Sequence, residues 1–94
     1  MFDYEIWQLP VSNSNKYMHY EWCKNPIDLV DYVMVYSGKI ETNDKEVDVV
    51  LERIFEKLNI DHPEDYHAAS LSVSDVVCFI EDGNKRTWWY VDGI

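Results

Sequence analysis

The chain has 94 residues, of which 47% are apolar and 15% are aromatic, and its formal net charge at pH 7 is −10. This composition is typical of one small globular domain and excludes a disordered chain. The negative charge argues against direct binding to nucleic-acid phosphates or to anionic membranes, whereas it suits a partner protein with a basic surface.

The beginning of the chain predicts two strands. Residues 2–9 alternate apolar side chains with Asp3 and Glu5, which is the period of a strand with one buried face. Pro10 ends this strand, because it cannot continue a ladder of hydrogen bonds. Residues 16–23 also alternate, less regularly, and we interpret them as a second strand.

The next segment predicts a helical turn and a further strand. Pro26 suits the first position of a helical turn at residues 27–31, with Asn25 as its N-cap. Residues 32–36 are β-branched, aromatic or Met, a composition that favours a strand. Ser37 and Gly38 follow, and we expect this pair to end the strand.

A long amphipathic helix is predicted from Asp44 to Leu58. Asn43 can cap its beginning, and Asn59 suits a left-handed residue at its end. Its apolar residues fall on one helical face. They are Val47, Val50, Leu51, Ile54, Phe55 and Leu58.

The last part of the chain predicts a β-hairpin. Its strands are Val76–Ile80 and Thr87–Val91, joined by a turn at residues 82–85 in which Gly83 can adopt a positive φ. The sequence therefore predicts one α+β domain over residues 1–94. It consists of an antiparallel sheet of four or five strands with one long amphipathic helix packed on it.

A metal site is the first catalytic possibility. Asp61, His62, Glu64, Asp65 and His67 crowd into one loop, and zinc accepts such ligands. Their spacing matches no known zinc pattern. We therefore expect no metal site and no cofactor.

A nucleophile is the second catalytic possibility. Ser70, Ser72 and Ser74 precede a strand, but no strand-to-helix elbow with flanking glycines accompanies them. We expect these hydroxyls and Asp75 to bond nearby backbone groups. Cys78 lies in an apolar strand and is predicted to be a buried thiol. The sequence thus favours a protein that is not an enzyme.

Acidic residues recur every four positions along the predicted helix, at Asp44, Asp48, Glu52 and Glu56. Residues at this spacing are neighbours on a helix, so they would form an acidic ridge. Such a ridge can imitate a row of phosphates to a basic protein. The alternative is a solvated face on which Lys45 pairs with Asp48 and Arg53 with Glu56.

Three consecutive aromatic residues, Trp88, Trp89 and Tyr90, lie in the last predicted strand. Alternation places Trp88 and Tyr90 on one side of the sheet and Trp89 on the other. Trp and Tyr are enriched where proteins bind one another. We therefore predict partner binding by this trio and by the acidic ridge, although the trio can instead cover a neighbouring loop or the helix end.

Several blocks of the sequence resemble the YodL-like family, small domains of Firmicutes and their mobile elements. The blocks are His62–Tyr66, Ser70–Val77, Trp89–Asp92 and Leu51–Phe55 with Asn59 shortly after. The Tyr-rich run from Tyr32 to Gly38 fits the region before the family's helix.

The chain departs from the family pattern at two places. Ala68-Ala69 stands where the family has Gly-His or Gly-Arg, and Gly93-Ile94 replaces the final Gly-Phe. The resemblance implies no enzymatic activity. It implies the setting of an accessory protein that is carried by a mobile element and acts on a host system.

These observations lead to a hypothesis of function with two alternatives. The leading hypothesis is a small cytoplasmic inhibitor from a phage or mobile element. It would block the basic surface of a host defence nuclease, as an anti-CRISPR or anti-restriction protein, and would be a monomer or homodimer without direct contact to nucleic acid. The first alternative is a protein-interaction module whose acidity serves solubility alone. The second is a small metal-dependent or thiol hydrolase that uses His62, His67 or Cys78.

Overall fold

The computed structural model of the chain describes residues 2–23, 27–40, 47–60, 64–66, 71–81 and 84–92. These residues form an α+β fold with a four-stranded sheet and one α-helix. The strands are β1 (Phe2–Gln8), β2 (Val33–Ile40), β3 (Val76–Glu81) and β4 (Lys85–Tyr90), and the helix is α1 (Val47–Asn59). Two short 3₁₀ helices, Tyr20–Trp22 and Leu29–Asp31, lie in the segment between β1 and β2.

The sheet has the order β2-β1-β3-β4, and every neighbouring pair is antiparallel. Strand β1 therefore lies inside the sheet, although it comes first in the chain. Tyr4 is opposite Gly38 on one side and Phe79 on the other, so all three share one side of the sheet. Because alternate residues point to opposite sides, this register sets both faces of the sheet.

The hydrophobic core lies between that side of the sheet and α1. Val50, Ile54 and Leu58 recur at every fourth position of the helix and are buried. They pack with the buried sheet residues Tyr4, Ile6, Val77 and Phe79. The apolar face predicted for the helix is thus confirmed for the residues whose side chains are described.

The prediction of a long helix is wrong. Helix α1 has 13 residues, which is close to the average of about 11–12 in globular proteins. It continues to Asn59, so Asn59 does not act as a left-handed stop. The side chain of Asn59 instead accepts a hydrogen bond from the Leu71 N–H at 2.7 Å and donates to the Leu71 carbonyl at 2.8 Å. The predicted cap, Asn43, lies outside the described residues.

Strand β2 does not end at Ser37-Gly38, as predicted, but continues through both residues to Ile40. Gly38 occupies a place where a side chain would not fit. A Cβ atom on Gly38 would lie 2.8 Å from Cε2 of Tyr36 and 2.9 Å from the hydroxyl oxygen of Tyr4. Gly38 is therefore needed for the close approach of the buried Tyr4 ring rather than for a turn.

The strand predicted at residues 16–23 is also wrong. These residues form turns and a short 3₁₀ helix, and Tyr17 has a φ of 66°, which an extended strand excludes. The Tyr17 N–H donates a 2.9 Å hydrogen bond to Oγ of Ser74, whose own φ is 83°. The alternation in this segment thus belongs to an irregular loop.

The two remaining turns differ in detail from the sequence predictions. The turn at residues 27–31 contains a 3₁₀ helix capped by Asp28, which accepts a 3.0 Å hydrogen bond from the Val30 N–H. The predicted cap at Asn25 and Pro26 lies outside the described residues. Gly83 does as well, whereas its neighbour Asn84 has a positive φ of 63°.

Candidate functional site

The side of the sheet opposite α1 carries a large mixed surface, which we call the open face. Cross-strand register places ten residues on it. They are Asp3, Glu5, Trp7, Met34, Ser37, Lys39, Cys78, Ile80, Arg86 and Trp88. Met34 keeps 44% of its surface exposed and Trp88 keeps 42%, so the open face presents large apolar side chains to solvent.

Among the described residues, the loop between β1 and β2 (residues 9–23 and 27–32) covers one end of this side of the sheet. Leu9 and Tyr32 pack there against Val76, with Tyr90 at the margin. The Tyr90 hydroxyl donates a 2.6 Å hydrogen bond to the Met18 carbonyl, which ties β4 to the loop. The open face is what this loop leaves uncovered.

Four side chains of the open face meet above β3, and we call them the cross-sheet cluster. Glu5 and Trp7 come from β1, while Arg86 and Trp88 come from β4. The Arg86 guanidinium donates through Nη1 to Oε1 of Glu5 at 2.6 Å. The Trp7 indole N–H donates to the same oxygen at 3.1 Å.

The aromatic rings of the cross-sheet cluster also touch. The ring centroids of Trp7 and Trp88 are 5.8 Å apart with an interplanar angle of 62°, an edge-to-face contact. Beneath them Cys78 on β3 is fully buried, and its sulfur lies 3.6 Å from Nη1 of Arg86. Hydrogen bonds and ring packing thus fix the cluster in place.

The protonation states of the cluster follow from its contacts. The hydrogen bond to Glu5 raises the pKa of Arg86 further above neutrality, so the guanidinium is charged. Burial raises the pKa of the Cys78 thiol, although Arg86 partly opposes this effect. Cys78 is therefore a neutral thiol at pH 7, which is the unreactive form.

The open face is electrically balanced in a strongly acidic chain. It carries two carboxylates, Asp3 and Glu5, and two cations, Lys39 and Arg86, whereas the chain as a whole has a net charge of −10. Exposed Trp, Met and Arg side chains are enriched at the centres of protein interfaces. Trp88, Met34 and Arg86 of the open face are of these types, whereas its Asp, Glu, Ser and Lys residues are of types that are depleted at interfaces.

The predicted aromatic trio is divided between both sides of the sheet. Trp88 is opposite Cys78 and Tyr90 is opposite Val76, so both lie on the side of the open face, whereas Trp89 is opposite the core residue Val77. This confirms the predicted alternation. The three residues have different surroundings, since Trp88 belongs to the cross-sheet cluster and Tyr90 is tied to the loop. Trp89 is 36% exposed on the side of the helix.

The two described side chains of the predicted acidic ridge, Glu52 and Glu56, lie away from the open face. Glu52 and Glu56 are exposed on α1, which packs on the opposite side of the sheet. Asp44 lies outside the described residues, and so does the side chain of Asp48. The complete ridge stays a prediction, and the structure does not bring Glu52 or Glu56 together with Trp88.

Sequence reasoning missed Glu5 and Trp7 as site residues. The signal was present, because Trp7 follows Asp3 and Glu5 in the alternation and is a large apolar residue on a polar face. The sequence alone does not indicate that Trp7 contacts Trp88. The meeting of Trp7 with Trp88 depends on β1 and β4 lying on either side of β3.

The candidates for catalysis are not assembled by the described residues. No group of three or more His, Cys, Asp or Glu side chains in these residues is placed to hold a metal ion. His62, His67 and Ser70 lie outside them. Asp75 accepts a hydrogen bond from the nearby Ser72 N–H at 2.9 Å, as predicted. The buried Ser74 instead accepts its hydrogen bond from the backbone of Tyr17, 57 positions away, so the local bond predicted for this serine is wrong.

Asp75 forms a buried ion pair that anchors the loop beside the open face. Its Oδ1 faces the Lys16 ammonium at 3.5 Å, and the two side chains are 0% and 6% exposed. Its Oδ2 accepts hydrogen bonds from the Gln8 side-chain amide at 3.1 Å and from the Ser72 N–H. Burial raises the pKa of Asp75, while these donors and Lys16 lower it.

Comparison with known protein families identifies a match that covers almost the whole chain. The family model of the YodL-like domain matches residues 3–94. No curated protein and no solved structure has significant similarity to the chain. In the part of the chain that the structure describes, no helix is long and apolar enough to cross a membrane.

Proposed function

The chain belongs to the YodL-like domain family, and we propose that it is a non-enzymatic protein-binding module that docks through the open face. The observation that carries this proposal is the cross-sheet cluster. It places Trp88 at the surface, 42% exposed, beside Trp7 and a charged Arg86.

The cluster has the physical properties of a binding hot spot. A Trp side chain buries about 150–250 Å² when it is covered, and Trp and Arg are the residues most often found at hot spots. Trp7 and Arg86 are already held by Glu5, so a partner need not order them. This lowers the conformational entropy lost on binding, which is about 0.5–1.5 kcal/mol per side chain that is immobilised.

We further propose that the partner is a host protein with a basic surface, in particular a defence nuclease of the CRISPR or restriction kind. The chain would then be a counter-defence inhibitor from a phage or mobile element. The net charge of −10 supports this, because it attracts a basic protein over a long range and speeds association. Glu52 and Glu56 add to this field from the side of α1, and mimicry of nucleic acid by the ridge would form a second contact.

The charge balance of the open face favours a second candidate function. In an interaction module whose acidity serves solubility alone, the contact surface itself need not be acidic. The open face fits that description, because the charges of Asp3 and Glu5 are balanced by those of Lys39 and Arg86. The two candidates share the docking face and differ in whether the charge on α1 matters.

Binding to purified host defence nucleases, with their activity as a second readout, tests the proposal. The matched pair is Trp88→Ala and Trp89→Ala, because these neighbours are similarly exposed but lie on opposite sides of the sheet. We expect Trp88→Ala to weaken binding at least tenfold and Trp89→Ala to change it less than threefold. Equal effects of both variants would refute docking through the open face.

Charge reversal on α1 separates the two candidates. The double variant Glu52→Lys, Glu56→Lys should slow association and weaken inhibition if the acidic field guides the chain to a basic partner. If the association rate of this double variant at low salt equals that of the native chain, the electrostatic part of the inhibitor proposal is excluded. The interaction module is then the candidate that remains. Absence of any nuclease that binds would exclude the defence target altogether.

A further inference from the structure

The proposed function does not specify which side chains of the partner contact the open face. The cross-sheet cluster indicates the chemical type of one of them. Resting on that function, we propose that the segment recognised by the open face presents an arginine. Its guanidinium would stack on the Trp88 indole and bond the free oxygen of Glu5.

The first observation is that this surface already binds a guanidinium. Arg86 of the chain itself reaches from β4 across β3 and donates to Oε1 of Glu5 at 2.6 Å. Glu5 is only 13% exposed, so its carboxylate is partly withdrawn from water and interacts strongly with a nearby cation. The surroundings of Glu5 are therefore suited to guanidinium chemistry.

The second observation is that Glu5 keeps an unused acceptor. Both hydrogen bonds that it receives, from Arg86 and from the Trp7 indole, end on Oε1. Among the described residues no donor contacts Oε2. A carboxylate can accept several hydrogen bonds, so a second guanidinium can use Oε2 while Arg86 keeps Oε1.

The third observation is the ring on the far side of β3 from this carboxylate, since Glu5 and Trp88 are both opposite Cys78. Trp88 makes an edge-to-face contact with Trp7 and keeps 42% of its surface exposed. Trp is the aromatic side chain that binds cations best, and a planar guanidinium stacks on it more readily than an ammonium does. A carboxylate acceptor near an exposed indole thus favours arginine over lysine.

The charge of the chain favours the same class of partner. At a net charge of −10 the chain attracts a basic segment, whereas two copies of the chain repel each other and nucleic acid is repelled as well. A second copy that covers Trp88 is the main competing occupant. Its presence would be visible as a dimer in solution.

The test compares two peptides of equal charge, acetyl-(Gly-Arg)₃-amide and acetyl-(Gly-Lys)₃-amide. Binding to the ¹⁵N-labelled full chain is followed by NMR on the indole N–H signals of its four Trp residues. A whole exposed cation–π contact is worth about 0.5–1 kcal/mol, so we expect stacking to make the arginine peptide bind more tightly by up to about two- to fivefold. It should shift the Trp88 signal more than the Trp89 signal.

Variants assign that preference to the site. Trp88→Ala should reduce the preference for arginine to the part that Glu5 contributes, Trp89→Ala should leave the preference intact, and Glu5→Gln should weaken the arginine peptide more than the lysine peptide. If Trp88→Ala does not fold, Trp88→Met keeps the apolar bulk without an aromatic ring. Equal affinities for the native chain, an arginine preference that is undiminished by loss of Trp88, or a dimer with an unresponsive Trp88 signal would overturn the inference.

Failure of this inference can be told apart from failure of the proposed function. If Trp88→Ala abolishes binding to a partner protein while the native chain binds both peptides equally, the open face docks a partner without arginine recognition. If Trp88→Ala leaves binding of the partner protein intact, docking through the open face itself is wrong.

Discussion

The buried pair of Lys16 and Asp75 makes a strong prediction about stability. Asp75→Asn removes the negative charge and leaves the Lys16 ammonium, which is 6% exposed, without its partner at 3.5 Å. Breaking one side of a buried ion pair costs about 3–5 kcal/mol. Since small domains are stable by only about 5–15 kcal/mol, this single substitution should bring the chain close to unfolding.

The double variant Lys16→Met, Asp75→Asn should recover most of that loss. No charge is then buried, and the carbonyl oxygen of Asn at position 75 can still accept hydrogen bonds from Gln8 and from the Ser72 N–H. Replacing a whole buried pair by well-packed apolar residues is often neutral or stabilising by about 1–4 kcal/mol, and an unpaired amide N–H₂ of Asn at position 75 would offset part of that gain. The coupling between the two substitutions should therefore be at least about 2 kcal/mol.

The pH dependence of the free energy of unfolding provides a second, independent test of this ion pair. Burial raises the pKa of Asp75 above that of the unfolded chain. Between the two values the folded state holds more protons, so the free energy of unfolding contributed by this group falls as pH rises through that window. Lys16→Met removes a cation that lowers the pKa of Asp75, so this variant should regain stability on acidification. Asp75→Asn has no carboxyl at this position and should not.

Urea unfolding followed by Trp fluorescence at pH 7 and pH 5 measures these free energies. A single variant that is already unfolded in buffer can be compared with the others in sucrose, which favours the compact state. Two results would refute the reasoning. One is a cost below 1 kcal/mol for Asp75→Asn, and the other is strict additivity of the two substitutions.

Three further predictions concern the packing around the sheet. Gly38→Ala should destabilise the fold by about 1–3 kcal/mol, which lowers the melting temperature by about 4–8 °C per kcal/mol, and Tyr4→Phe in the same chain should reduce that cost. An unchanged melting temperature of Gly38→Ala would contradict the close contact. Asn59→Ala should cost about 1–3 kcal/mol and speed hydrogen exchange of the Leu71 amide, and unchanged exchange would mean that this bond does not protect it. Tyr90→Phe removes the donor to the loop carbonyl and should speed proteolysis within residues 16–23, which a cleavage rate equal to that of the native chain would disprove.

The elements with a regular pattern could be predicted from the sequence. Strand β1, the hairpin strands β3 and β4, and the apolar face of α1 all follow from local periodicity, which depends only on neighbouring residues. The predicted end of β2 came too early because glycine usually interrupts a strand. Gly38 is instead required by the close contact with the ring of Tyr4 on the neighbouring strand, which the local sequence does not show. Residues 16–23 were misread because Tyr17 is held in a left-handed conformation by a bond to Ser74, which is distant in sequence.

The site was only half predictable for the same reason. Trp88 stands out in a run of aromatic residues, and its alternation with Trp89 is a local property. Glu5 and Trp7 became part of the site because β1 inserts between β2 and β3, and no local pattern specifies that order. The opposite positions of α1 and Trp88 also follow from packing, so charge and aromatic content alone could not tell whether the two features share a surface.

The central position of β1 also has a consequence for how the chain folds. Its register with β3 joins Asp3 to Ile80, and the bond between Glu5 and Arg86 spans 81 positions of the chain. Contacts between such distant segments require closure of a long loop, which makes folding slow compared with that of helical proteins of equal size. The contact of Trp7 with Trp88 forms only when the two outermost strands of the sequence have met β3. Fluorescence from that pair therefore reports the completion of folding, and we expect the change in a refolding experiment to appear after the helical signal.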